Sequence, residues 1–158
     1  MNRNSRNSQE GNAKAVHQSK PWYKYIDSNE SMLEACKIIS ETRTIAVDLE
    51  CENNMHHYGV YISLIQVTSR FDTFLFDIIE LKKKGGIRQL LDILEDAKIQ
   101  KIFHDVNFDF RILYSEFACQ PKNLFDTQIA AKLLGYENLG LTSLLDTHFG
   151  IKKDRKFQ

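Results

Sequence analysis

Thr44-Ile45-Ala46-Val47-Asp48-Leu49-Glu50 is the stretch around which the rest of the chain is organised. Its β-branched and aliphatic run reads as a fully buried strand, were it not for the two acids at its end. Residues two apart on a strand project to the same face, roughly 6 to 7 Å apart along the backbone, so Asp48 and Glu50 can share one site. Two uncompensated carboxylates are costly to bury, whereas a divalent cation that prefers hard oxygen ligands neutralises both. The competing reading is that the strand has ended and both acids are solvated. Asp-x-Glu is too short to decide between the two.

Upstream, Ser28 is placed to cap a helix whose Met32, Ala35, Cys36 and Ile39 recur on one face. The ordered chain is expected to open near Pro21-Trp22-Tyr23, after a polar leader over residues 1–20 that has too few apolar side chains to order itself. Downstream, a polar loop from Cys51 to Gly59 leads into strands over Val60–Thr68 and Phe71–Asp77, which close a three-stranded antiparallel meander around Ser69-Arg70. Lys82-Lys83-Lys84-Gly85-Gly86 reads as a solvated turn, followed by a helix carrying Ile87, Leu90, Leu91 and Leu94.

Beyond it the pattern alternates. Lys101-Ile102-Phe103 is a strand, and Asn107 to Phe117 a helix with Phe110, Leu113, Tyr114 and Phe117 toward the core. A short strand, Leu124-Phe125, precedes a helix over Thr127–Leu134, and Leu141, Leu144, Leu145 and Phe149 mark a last helix stopped by Gly150. The expected fold is α/β: three antiparallel strands, then parallel strands, in a mixed sheet with helices on both faces, the ribonuclease H-like arrangement. With 158 residues the chain is one domain on size grounds.

Composition excludes more than it identifies. Lys and Arg number 21 and so do Asp and Glu, so the chain lacks the basic signature of many duplex binders, and any nucleic-acid contact must come from a local site. No apolar run approaches a membrane span. The three cysteines, Cys36, Cys51 and Cys119, form no CxxC pair, and no secretory signal precedes them, which fits an intracellular, reduced protein.

The second acidic element is His104-Asp105-Val106-Asn107-Phe108-Asp109-Phe110, a strand-to-helix junction. Asp109 falls in the first helical turn, where the helix dipole favours a carboxylate. A strand parallel to the one bearing Asp48 delivers its following helix to the same edge of the sheet, so Asp109 can approach the acid pair. Taken alone, Asp109 reads more readily as an ordinary helix-start acid.

In combination these segments resemble the ribonuclease D branch of the DEDD exonuclease superfamily, which includes the eukaryotic exosome-associated exonuclease. Ile45 to Glu50 is similar to its first motif, Leu64-Ile65-Gln66 to its second-strand signature, and Phe103 to Asp109 to its second motif. Leu124 to Ala131 resembles the segment that follows, and Leu141 to Leu145 the next helix. The resemblance runs from about Trp22 to Gly150 and rests on the order and spacing of several segments. It implies a metal-dependent 3′-to-5′ exonuclease acting on single-stranded RNA 3′ ends, with DNA not excluded, in RNA processing or degradation. Asp48, Glu50 and Asp109 are then three of four acids that hold two Mg²⁺ or Mn²⁺ ions. The family's last motif, Tyr-x-x-x-Asp, has no counterpart up to Gln158, so residues 21–158 read as a partial domain with impaired activity. The resemblance also implies a possible RNA-processing assembly, and a compartment that is cytoplasmic in prokaryotes and nuclear in eukaryotes.

The rival reading is a catalytically inactive nucleic-acid-binding or adaptor protein that keeps the fold. Four further residues are candidates for substrate contact: Tyr58, by stacking, and His57, His104 and Asn107. His104 reads better as a hydrogen-bonded strand-end group than as a general base, and Asp126 as a helix N-cap rather than a metal ligand. Cys51 is not a nucleophile candidate, because no activating partner can be set beside it.

Overall fold

The computed structural model describes residues 23–52 and 60–152. The proposed leader and the candidates His57 and Tyr58 lie outside the described residues. The strands are β1 (Lys24–Ile26), β2 (Thr44–Glu52), β3 (Tyr61–Thr68), β4 (Thr73–Asp77), β5 (Gln100–Phe103) and β6 (Leu124–Asp126). The helices are α1 (Asn29–Ser40), α2 (Ile78–Lys83), α3 (Arg88–Glu95), α4 (Val106–Phe117), α5 (Thr127–Leu133) and α6 (Leu141–Phe149).

All six strands form one sheet in the order β1-β4-β3-β2-β5-β6. The expected antiparallel meander is present, with β3 pairing antiparallel to both β2 and β4, and β5 and β6 extend the sheet in parallel on the other side of β2. Two elements were not foreseen. The three-residue β1 pairs parallel to β4, and the six-residue α2 follows Asp77, which caps it through Glu80 N at 2.9 Å. Both are too short to show a period, and β1 forms only because β4 offers an edge.

Alternation in β2 decides the layout of the site. Ile45, Val47 and Leu49 are buried, while Ala46, Asp48 and Glu50 on the opposite face are exposed. Over these residues the strand is covered on one side only. Against the covered face pack Met32, Ala35, Cys36 and Ile39 of α1, all four as expected, each large one stabilising by about 1.5–3 kcal/mol. Ser28 caps α1 in a reciprocal box with Ser31. Leu90, Leu91 and Leu94 of α3 are buried with them.

Two helix faces differ from expectation. On α4 the buried residues are Asp109, Ile112 and Leu113, and Tyr114 is 54% exposed. Further along α4, Glu116 accepts a hydrogen bond from Ile62 N at 2.8 Å and from Lys82 Nζ at 2.7 Å. That clamp ties α4 to the start of β3 and to α2. On α6 none of Leu141, Leu144, Leu145 and Phe149 is fully buried, and Phe149 is 73% exposed. The apolar stripe exists, with Leu144 and Leu145 half-buried and Leu141 and Phe149 exposed.

Lys101, read from the sequence as an ordinary strand residue, is completely buried. Its Nζ donates to Asp96 O at 2.5 Å and Ile99 O at 2.7 Å, just past the end of α3, where the helix dipole favours a cation. Burial depresses its pKa, against the pull of Asp96.

Candidate active site

Asp48 and Glu50 stand on the open face of β2, opposite Gln66 and Leu64 of β3. The ladder slips by one residue between Glu50 and Cys51, a bulge directly after the acid pair. Because this face is open, both acids are solvated, and the cost of burial that argued for a cation does not apply to them. It applies instead to Asp109.

The parallel pairing of Ala46 with Ile102 carries β5 alongside β2, so that α4 begins next to Asp48. Asp109 is only 9% exposed. Burial, and next the charges of Asp48, Asp105 and Asp126, push its pKa up to about 7. Nearby Cys51 is raised to about 11 by burial and then by Asp109, Glu116, Glu50 and Asp48, which fits its exclusion as a nucleophile. One thiol thus senses all three proposed ligands at the end of β2. Among the described residues, however, no three His, Cys, Asp or Glu side chains converge tightly enough to cage an ion as they stand.

The turn that delivers Asp109 is strained and cross-linked. Asp105 adopts a left-handed conformation at φ 63°, uncommon for a residue with a Cβ. Its N–H and that of Val106 donate to the Asp126 carboxylate at 3.1 and 2.9 Å. Asp126 also accepts from Gln128 N at 2.8 Å and Ile129 N at 3.3 Å, the N-cap role expected of it. Burial opposes its charge, yet the N–H groups of Val106, Asp105, Gln128 and Ile129 together hold its pKa below the ordinary value. The bridge between α4 and α5 was not legible in the sequence, since an N-cap motif does not reveal a second client some 20 residues away.

His104 is tied down in the same way. The Thr127 hydroxyl donates to Phe103 O at 3.0 Å, so its oxygen accepts from His104 Nδ1–H at 2.9 Å. His104 borders a cavity of about 260 Å³ on the open sheet face, together with Asp48, Gln66, Thr68 and Leu141. Asn107 is exposed on the first turn of α4.

The mixed α/β sheet thus carries two acids on a central strand, and the helix that follows the neighbouring parallel strand carries a third, buried acid. Comparison with known proteins identifies the family. The 3′-5′ exonuclease family matches residues 23–158. The exosome complex exonuclease RRP6 of Saccharomyces cerevisiae is 31% identical over 137 residues, 87% of this chain and 18% of that protein. Ribonuclease D of Sphingobium indicum is 31% identical over 134 residues, covering 82% of this chain and 33% of its own length. The crystal structure of Escherichia coli RNase D, an exoribonuclease involved in structured RNA processing, superposes with a TM-score of 0.78 at 25% identity, over 86% of this chain and 36% of that one. The chain belongs to the 3′-5′ exonuclease family, with a fold of the ribonuclease D type. It spans less than a fifth of the length of the yeast relative.

Proposed function

We propose that this chain is the exonuclease domain of a ribonuclease D-class enzyme that removes nucleotides from single-stranded RNA 3′ ends, with Asp48, Glu50 and Asp109 as the residues that hold divalent cations. The observation that carries the proposal is the Asp109 carboxyl, buried beside Asp48 and raised to about 7. A divalent cation between these two acids removes the causes of that shift, since it offsets both the lost hydration and the neighbouring charge. The donors are all hard carboxylate oxygens, suited to Mg²⁺ or Mn²⁺.

When bound, a pair of such ions supplies charge stabilisation for the attacking and leaving oxygens of an in-line displacement. The residues of the chain have separate tasks. Asp48 and Glu50 present carboxylates from a rigid central strand, and Asp109 closes the site from α4. Asp126 holds the strained turn that sets the position of Asp109. His104, with Nδ1 committed to Thr127, has Nε2 left for a substrate contact. His57, Tyr58 and Asn107 complete the proposed substrate contacts. The names of the relatives support RNA as the substrate, and that of the yeast relative supports a place in an RNA-processing assembly. The three cysteines are free, in keeping with a reducing compartment, and among the described residues no helix is long and apolar enough to cross a membrane.

A second reading, an adaptor that binds nucleic acid without cutting it, is favoured by the absence of a ready three-ligand cage among the described residues. One assay separates the two. The chain is incubated with 3′-labelled single-stranded RNA, and in parallel with DNA of the same sequence, in Mg²⁺ or Mn²⁺. Metal-dependent release of labelled mononucleotide that disappears in Asp48→Ala supports the nuclease. RNA binding without cleavage in either protein supports the adaptor.

A further inference from the structure

At the end of the sheet away from the acid pair, cations stand on neighbouring strand ends. In sheet order they are Arg70 in the turn between β3 and β4, Arg43 before β2, Lys98 before β5 and Lys122 before β6. Backbone pairing fixes the row. Thr68 pairs with Ala46, which sets the turn alongside the start of β2, and Gln100 N donates to Arg43 O at 2.8 Å. Asn123 Nδ2 donates to Ala97 O at 3.0 Å and Lys101 N to Asn123 O at 2.9 Å, joining the approaches to β5 and β6. At about 4.8 Å per strand the row is about 14 Å long. Along β2 from Thr44 to Glu50, at about 3.3 Å per residue, it lies about 20 Å from the acids.

All of these cations are exposed, and among the described residues none of them forms an ion pair. Of the nearby carboxylates, Asp72 pairs with Lys24, Glu95 pairs with Arg88, and Asp96 lies against the buried Lys101; Glu41 stays exposed. Next to Arg70, Phe71 is 83% exposed, with the guanidinium carbon 5.2 Å from its ring centroid. Like charges in a row repel one another, and a ring left in water packs against no core, so fold stabilisation accounts for neither. Both suit a polyanion with stackable faces. A stacked strand rises about 3.4 Å per nucleotide, so 14 Å spans about four phosphates. The open ring favours a single strand, because the base faces of a duplex are already stacked and an acidic peptide has no use for an aromatic platform.

We infer that Arg70, Arg43, Lys98 and Lys122 hold the phosphate backbone of a single-stranded nucleic acid, with one base stacked on Phe71. The contact takes internal phosphates and needs neither a divalent cation nor a free 3′ end, so it stands apart from the proposed nuclease site. It gives a chain without net charge a local surface for a polyanion.

The test measures binding of the full chain to a circular oligouridylate with an internal fluorescein, in EDTA, over a range of salt. A circle without a 3′ end, in the absence of metal, reports on the row and not on the acids. Wild type is expected to bind with a slope of log affinity against log salt of about −2.8, at about 0.7 for each of four phosphates. The combined variant Arg43→Gln, Lys98→Gln, Lys122→Gln should flatten the slope by about 2. Phe71→Ala should weaken binding about ten-fold at an unchanged slope, and Phe71→Trp should restore it. Metal-dependent cleavage of a labelled dinucleotide should be the same in all of these proteins. An unchanged slope in the combined variant overturns the inference, as does wild type that fails to bind the circle. Binding of a poly-glutamate peptide in place of the circle also overturns it and assigns the row to an acidic protein partner. None of these results bears on the nuclease reading, which the dinucleotide assay tests separately.

Discussion

Replacing Asp109 by Asn should stabilise the metal-free protein at alkaline pH while removing its activity. The Asp109 carboxyl is raised from an ordinary 3.8 to about 7, chiefly by burial and then by the charge of Asp48. The native state therefore holds this proton more tightly than the unfolded chain does. The resulting stability is fully present below about pH 4 and is lost as pH rises through about 7. Three pH units at ~1.4 kcal/mol each set an upper bound of about 4 kcal/mol, which solvent screening at a helix start reduces to about 1–2 kcal/mol. The assay is urea unfolding in a chelator at pH 5 and pH 8. Wild type should lose about 1–2 kcal/mol more between the two than Asp109→Asn, whose amide cannot ionise. Adding Mg²⁺ at pH 8 should restore wild type but not the variant, since a ligand that binds only the native state stabilises it. Parallel pH profiles for the two proteins, or an Asp109→Asn variant less stable than wild type at pH 8, would refute the reasoning.

Asp126→Ala removes the acceptor for four backbone N–H groups and should cost about 2–3 kcal/mol, measured by thermal unfolding, with nuclease activity falling more than stability alone explains because the Asp105 turn is released. As the native pKa of Asp126 lies below its unfolded value, its contribution is present above about pH 4 and lost as pH falls further, so the variant should be comparatively insensitive to acid. Lys101→Ala removes the ammonium donor to the carbonyls of Asp96 and Ile99 and opens a cavity, and should cost about 3 kcal/mol or more, whereas Lys101→Met fills the volume and should cost less; equal losses would show that hydrogen bonding, not packing, gives Lys101 its role.

The meander, the parallel extension and most helix boundaries could be read before folding because each rests on local periodicity. Met32, Ala35, Cys36 and Ile39 reach the core as their spacing requires. The acids Asp48 and Glu50 could be singled out because alternation along a strand puts them on one face whatever the tertiary structure. Which face was covered could not be read, since a strand pattern does not state how many layers surround it. The open face of β2 reversed the argument, leaving the acid pair solvated and moving the burial cost to Asp109. α4, which carries Asp109, is tied to β3 by the Glu116 contact with Ile62, 54 residues away. The turn held by Asp126 depends in the same way on a partner remote in sequence. Periodicity acts over a few residues and assigned the elements and their candidate acids. The protonation of Asp109, the burial of Lys101 and the row of cations at the strand ends depend on contacts that exist only once distant segments have packed.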